Sequence, residues 1–179
     1  KLDWQAPSNY KPPRRTLTLT PTGAGVEVDV ACYFSQNGEC HFVENDLFSS
    51  LFGLLYWEVI FAPVKGAFTN PFQIRPHDLH EPDFLTQQQA VFSQANHALL
   101  SQELLNDAIT SRWTEKFGIA NYFVNWSWID EALIHTALAR IPLPHLKAIF
   151  QRIWQDIRAN CSGFPDLILL TDTGYELIE

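Results

Sequence analysis

Two periodicities share this chain. Apolar and polar residues alternate with period two over residues 16–20 and 26–30, and Pro21-Thr22-Gly23-Ala24-Gly25 lies between them. That pattern predicts a β-hairpin, with Gln36-Asn37-Gly38 as a second turn. From Asn45 onward the period changes. Leu47, Leu51, Leu54, Leu55 and residues 58–61 fit one strongly apolar helix, with Asp46 as its cap and Pro63 ending it. Residues 63–85 carry four prolines and predict an irregular connection. Residues 86–117 read as helices, the second opened by Ser101-Gln102-Glu103, and residues 127–140 as another that Pro142 stops. The clearest helix begins at Pro144. Leu146, Ile149, Phe150, Ile153, Trp154 and Ile157 form one apolar stripe, and Gly163 marks the exit.

The last segment is different again. Asp166-Leu167-Ile168-Leu169-Leu170 is a short apolar run that suits a strand buried on both faces. Thr171-Asp172-Thr173-Gly174 is turn chemistry, and residues 175–179 form the return strand. Pairing Leu170 with Tyr175 sets Ile168 opposite Leu177 and Asp166 opposite Glu179. Directly opposed residues share one side of a sheet about 5 Å apart, where two carboxylates repel. A divalent cation would offset that repulsion, because hard ions bind carboxylate oxygens. A one-residue slip would put the acids on opposite faces. On pattern alone Asp166 could equally cap a turn after Pro165, with Glu179 a simple edge charge.

Composition narrows the class. The 179 residues are 46% hydrophobic and 18% charged, which excludes a disordered tail and gives enough chain to bury a core without disulfides. A net charge of −8, from 12 Lys+Arg against 20 Asp+Glu, is the wrong sign for a self-contained nucleic-acid binder. Cys32, Cys40 and Cys161 match no zinc spacing and read as reduced thiols of an intracellular protein. No secretory leader opens the chain, and the apolar window at residues 47–62 carries Glu58 and is too short for a bilayer. The start without Met and the stop inside a strand read as a fragment of a longer polypeptide.

Gly163-Phe164-Pro165-Asp166-Leu167-Ile168-Leu169, followed by Glu176-Leu177-Ile178-Glu179, resembles the PD-(D/E)xK nuclease motif in its VRR-NUC version. Two further stretches, residues 44–61 and 68–79, are similar to the Fanconi-associated nuclease family, in a bacterial-type member. The resemblance runs from about residue 40 to the end. It implies an α/β, restriction-endonuclease-like core with a mixed sheet flanked by helices, mostly helical overall. It also implies two parts: residues 1–40 as an arm and hairpin lead-in from an upstream region, and residues 41–179 as a nuclease domain truncated at its C-terminus.

The activity implied is that of a structure-specific DNA nuclease of phosphodiesterase I type, dependent on Mg²⁺ or Mn²⁺. Such enzymes cut 5′ flaps, degrade from the 5′ end and act in interstrand cross-link repair. Residue by residue, Glu44, Asp166 and Glu179 match the family's acidic metal ligands, and Arg158 matches a functional arginine. The lysine two positions beyond the second acid falls past Glu179. The resemblance further implies branched or 5′-flapped DNA and upstream domains of the same polypeptide as partners, no membrane, and an intracellular, bacterial cytoplasm or nucleoid setting.

The residue types suit that chemistry. Carboxylates hold a hard ion that lowers the pKa of its water and polarises a phosphoryl oxygen, and an arginine can pair with a phosphate. Without the resemblance, Glu44 is favourable helix N-terminal charge and Arg158 a solvated cation near a helix C-terminus. Arg140, Lys147, Arg152 and Arg158 against Asp156 make residues 140–158 locally basic, so these four are the candidate DNA contacts. His77, Asp78, His80, Glu81 and Asp83 lack the i, i+4 spacing of a helical zinc site and read as a polar loop. Trp126 and Trp128 fit aromatic packing better than base stacking. The rival class is a non-catalytic helical scaffold or interaction domain whose last hairpin completes a core.

Overall fold

The computed structural model describes residues 11–179. The part of the expected N-terminal arm over residues 1–10 lies outside the described residues. In chain order the elements are α1 (Val26–Phe34), β1 (Glu39–Phe42), α2 (Asp46–Leu55), α3 (Trp57–Ile60), α4 (Phe84–Gln87), α5 (Gln89–His97), α6 (Gln102–Lys116), α7 (Glu131–Arg140), α8 (Leu143–Gln155), α9 (Ile157–Asn160), β2 (Leu167–Thr171) and β3 (Gly174–Ile178). The class is α/β and mostly helical, as expected. Among the described residues, however, the sheet has three strands in the order β1-β2-β3, antiparallel throughout rather than mixed.

The expected hairpin over residues 16–30 does not form. Residues 11–22 carry no strand, and residues 26–34 are the helix α1. Val26 is 73% and Val28 45% exposed, so the alternation that mimicked a strand buries nothing. Phe34, one helical turn beyond Val30, is buried instead. Asp29 reaches back to take hydrogen bonds from the Thr22 backbone N–H at 3.1 Å and the Thr22 hydroxyl at 2.5 Å. Five alternating residues are too few to outweigh a helix that can dock its last turn. The turn before β1 is as expected. Gly38 belongs there because a Cβ would run into the Leu170 carbonyl oxygen.

Helix α2 is the centre of the core. Nine of its residues, from Leu47 to Leu55, are buried. Phe52 meets Tyr56, Phe123 and Trp154 at ring-centroid distances of 4.9, 4.9 and 4.8 Å. The apolar run predicted as one helix is broken at Tyr56 (φ −96°, ψ 21°), after which α3 continues. The Tyr56 hydroxyl donates to Asn96 Oδ1 at 2.7 Å, and burial pushes its pKa above the ordinary tyrosine value. A polar group this deep needs such a partner.

Asp46, expected to cap α2, is instead its first residue, and Asn45 before it makes no side-chain cap bond; two later helices do have local caps. Ser101 Oγ accepts from Leu104 N at 3.1 Å to start α6, and Asp130 Oδ1 accepts from Leu133 N at 2.8 Å to start α7. The stripe starting near Pro144 is again two pieces. Asp156 is extended (φ −158°, ψ 98°), ends α8, and caps α9 by accepting from Ala159 N at 3.0 Å. Leu146, Phe150 and Ile153 of α8 are fully buried.

Strands β2 and β3 pair in the register read from the sequence: Leu170 opposite Tyr175, Ile168 opposite Leu177, Leu167 opposite Ile178. Leu167, Ile168, Leu169 and Leu170 are all buried, as a strand covered on both faces requires. Strand β1 adds to the other edge of β2, with Phe42 opposite Leu167.

Candidate metal and nuclease site

Register alone decides what gathers at the end of the sheet. Phe42, Leu167 and Ile178 stand side by side. The residues just beyond them are therefore Val43-Glu44 leaving β1, Asp166 entering β2 and Glu179 leaving β3. Asp166 and Glu179 each lie one residue outside the last recorded pair, Leu167 with Ile178. The β1 connection is tied down by hydrogen bonds: the Asp166 carbonyl accepts from Val43 N at 2.8 Å and from Glu44 N at 2.9 Å. Asp166 is half-buried, and Glu44 and Glu179 are exposed.

Glu44 has φ +38°, the one left-handed non-glycine among the described residues. Strict strand alternation would carry residue 44 to the face of Phe42 and Leu167 rather than to that of Asp166. The left-handed step ends that alternation and turns the chain into α2. Non-glycine residues held this way cost roughly 1–3 kcal/mol, and such strain concentrates at functional sites.

Asn45 joins the two sides of the connection. Its Oδ1 accepts from Phe164 N at 3.1 Å, and its Nδ2 donates to Glu44 Oε1 at 3.4 Å. The Phe164 ring packs on Phe48 of α2 at 5.0 Å, which holds the Gly163–Asp166 approach against the core. Asp46, next in sequence, accepts from Asn125 Nδ2 at 3.1 Å. Asn45, Asp46, Ser49, Tyr122, Asn125 and Cys161 line a polar cleft of about 420 Å³ beside these acids. Sequence reasoning missed Asn45 because its partner Phe164 lies 119 residues away.

The three acids converge in backbone, not in side chains. Among the described residues no group of three or more His, Cys, Asp or Glu side chains is gathered tightly enough to hold a metal ion. The donor set is all oxygen, which suits hard divalent ions over zinc or copper.

The basic candidates separate. Arg158 lies on α9 in the wall of a cleft of about 550 Å³ with His80, Glu81, Phe84 and Asp156. It makes no ion pair with Glu44, Asp166 or Glu179 among the described residues. Arg152 lines a groove of about 290 Å³ with Gly163 and Phe164, on the approach to Asp166. Lys147 is half-buried on α8. Arg140 is elsewhere: its guanidinium donates to the Asp172 carbonyl at 2.9 Å and to Asp172 Oδ1 at 3.2 Å, at the turn end of the hairpin opposite the acids. There it braces the hairpin turn, at the opposite end of the sheet from the acids.

Several of the other polar candidates have local partners. His77 Nε2 is 3.1 Å from Thr69 Oγ1. His80 touches the Arg75 guanidinium, which lies 4.6 Å over the Tyr122 ring. Burial, then the charges of Arg75 and Arg158, hold the His80 pKa below the ordinary histidine value. Trp126 donates to the Ile119 carbonyl at 2.8 Å and packs on Trp113. Trp128 stays 60% exposed beside Phe42, at a centroid distance of 5.9 Å.

Comparison with known proteins places this arrangement. The profile of the VRR-NUC domain matches residues 100–179. A Fanconi-associated nuclease 1 homolog from Pseudomonas aeruginosa is 46% identical over 128 residues, 72% of this chain and 23% of that protein. The chain belongs to the Fanconi-associated nuclease family. The homolog of Arabidopsis thaliana is 31% identical over 160 residues, 85% of this chain and 18% of its own length. The solved structure of paFAN1 bound to 2nt 5′flap DNA with gap superposes with a TM-score of 0.84 at 38% identity, covering 91% of this chain and 30% of that one. A second paFAN1 structure, with a 1nt 5′flap, gives 0.85 at 39% identity. The chain spans 13% to 23% of the length of the curated relatives it matches. No helix among the described residues is long and apolar enough to cross a membrane.

Proposed function

We propose that the polypeptide carrying this chain is a divalent-metal-dependent, structure-specific DNA nuclease. It hydrolyses phosphodiesters in branched or 5′-flapped DNA, as a phosphodiesterase I type enzyme of interstrand cross-link repair, inside the cell. Residues 41–179 form the nuclease domain and residues 1–40 its lead-in; upstream domains of the same polypeptide supply further DNA contacts. The observation that carries the reading is the arrival of Glu44, Asp166 and Glu179 at one end of a small sheet. The register that produces it is fixed on both sides of β2.

In this reading Glu44, Asp166 and Glu179 hold Mg²⁺ or Mn²⁺. Once bound, the ion supplies a water of lowered pKa and neutralises a phosphoryl oxygen. Asp166 is fixed by its own carbonyl, which anchors β1 through two amide donors. Glu44 is fixed by the left-handed turn. Arg152 and Lys147 on α8 and Arg158 on α9 take phosphates along the strand. The DNA affinity that this chain's acidic balance opposes comes from the rest of the polypeptide.

The test is a Mn²⁺ and Mg²⁺ titration of 5′-flap cleavage by the intact polypeptide and by Asp166→Ala. We expect metal-dependent cutting by the first and a loss of at least about 100-fold in the second. Undiminished cutting by Asp166→Ala removes Asp166 from the mechanism. No cutting by the intact polypeptide at any metal concentration favours the scaffold.

A further inference from the structure

We infer that Asn45 is a positioning residue that sets the spacing of the metal ligands Glu44 and Asp166. This rests on the proposed metal site and goes beyond it, by assigning a residue that no acid motif contains.

The argument starts from what the amide can do. A carboxamide has one acceptor end and one donor end. Here the acceptor end is committed to Phe164 N at 3.1 Å, two residues before Asp166. That leaves the donor end to face Glu44 Oε1, at 3.4 Å. Each partner can accept only the end it receives: a backbone N–H needs an oxygen, and a carboxylate needs a donor. Asparagine serves both. An aspartate in its place keeps the Phe164 bond but sets a second anion against Glu44, and a leucine keeps neither.

The position matters as much as the chemistry. The side chain does not cap α2, so it is not committed to starting the helix. The backbone around it is already fixed: Glu44 N bonds Asp166 O, and Ser49 Oγ donates to the Asn45 carbonyl at 2.5 Å. What the side chain adds is a strut from the Glu44 carboxylate to the segment that delivers Asp166. Groups that orient metal ligands from behind typically change metal affinity or activity by about 10–100-fold when removed.

The experiment is a double-mutant cycle on Mn²⁺ affinity, measured by electron paramagnetic resonance or calorimetry on the intact polypeptide without DNA. The proteins are the parent, Asn45→Ala, Glu44→Gln and the double variant. We expect Asn45→Ala to weaken Mn²⁺ binding by about 10-fold and to add little in the Glu44→Gln background, because the strut acts through Glu44. Equal affinity in Asn45→Ala and parent overturns the proposal. So does a full, additive loss in the double variant, which would mark a general structural role. Asp166→Asn is run alongside. If it binds Mn²⁺ like the parent, the metal site itself is wrong. If it loses binding while Asn45→Ala does not, only the role of Asn45 falls. Thermal melts check folding, and Asn45→Ser, which keeps a hydroxyl, replaces Asn45→Ala in the cycle if the latter does not melt cooperatively.

Discussion

Replacing Glu44 by glycine is expected to stabilise the protein while abolishing its metal-dependent activity. Glu44 sits at φ +38°, where a Cβ crowds the backbone and costs about 1–2 kcal/mol. Glycine has no Cβ and accepts this conformation freely. It returns part of the gain, because its unfolded chain has more freedom, at about 0.5–1 kcal/mol. The net expectation is about 0.5–1 kcal/mol in favour of Glu44→Gly. At this chain length 1 kcal/mol moves the melting temperature by roughly 2–4 °C, so the rise is about 1–4 °C. The control is Glu44→Ala, which also deletes the carboxylate but keeps the Cβ. Any relief of repulsion with Asp166 and Glu179 is common to both variants, and their difference isolates the backbone. The assay is paired: thermal melts in metal-free buffer, and 5′-flap cleavage across a Mn²⁺ titration. The expected pattern is Gly above Ala in stability and both inactive. A Glu44→Gly protein no more stable than Glu44→Ala would refute stored strain at this residue, and full activity in either would refute its role as a ligand.

Other expectations follow from the same geometry. Gly53→Ala should cost about 1–3 kcal/mol in denaturant melts, since its Cβ would lie 2.7 Å from the Phe123 Cβ in a packed core. Asp156→Ala removes the cap of α9; it should cost about 1 kcal/mol and lower DNA affinity through Arg158, read by fluorescence anisotropy with Ca²⁺ in place of Mn²⁺. Arg140→Ala, whose partner Asp172 lies at the far end of the hairpin, should leave flap cleavage unchanged; a clear loss would show that it contacts DNA. The lowered pKa of His80 means that, below the ordinary value near about 6.5, the unfolded chain binds a proton that the folded chain does not. Stability should therefore fall as pH drops from about 6.5 toward the folded-state value. His80→Gln should flatten that part of the urea-midpoint profile, and an unchanged slope would assign the titration elsewhere.

The sequence by itself determined the features whose causes are local. The register of β2 with β3 follows from a turn at Asp172 and Thr173 flanked by apolar residues. That two-residue loop pairs Thr171 with Gly174 and sets every pairing beyond it. Ser101 and Asp130 cap their helices through bonds spanning three residues. The PD motif and its second acid were legible through their resemblance to a known family, since their pattern alone left a turn cap and an edge charge open. Tertiary structure decided the rest. Period two over residues 26–30 became a helix because docking Phe34 outweighed the local pattern. Long apolar runs broke at Tyr56 and Asp156, where bonds to distant or capped groups offset the lost helical ones. The left-handed turn at Glu44 exists because Asp166, 122 positions along the chain, offers its carbonyl to two successive amides. Contacts of that separation leave no periodicity in the sequence, and they are what brings three acids to one end of a sheet.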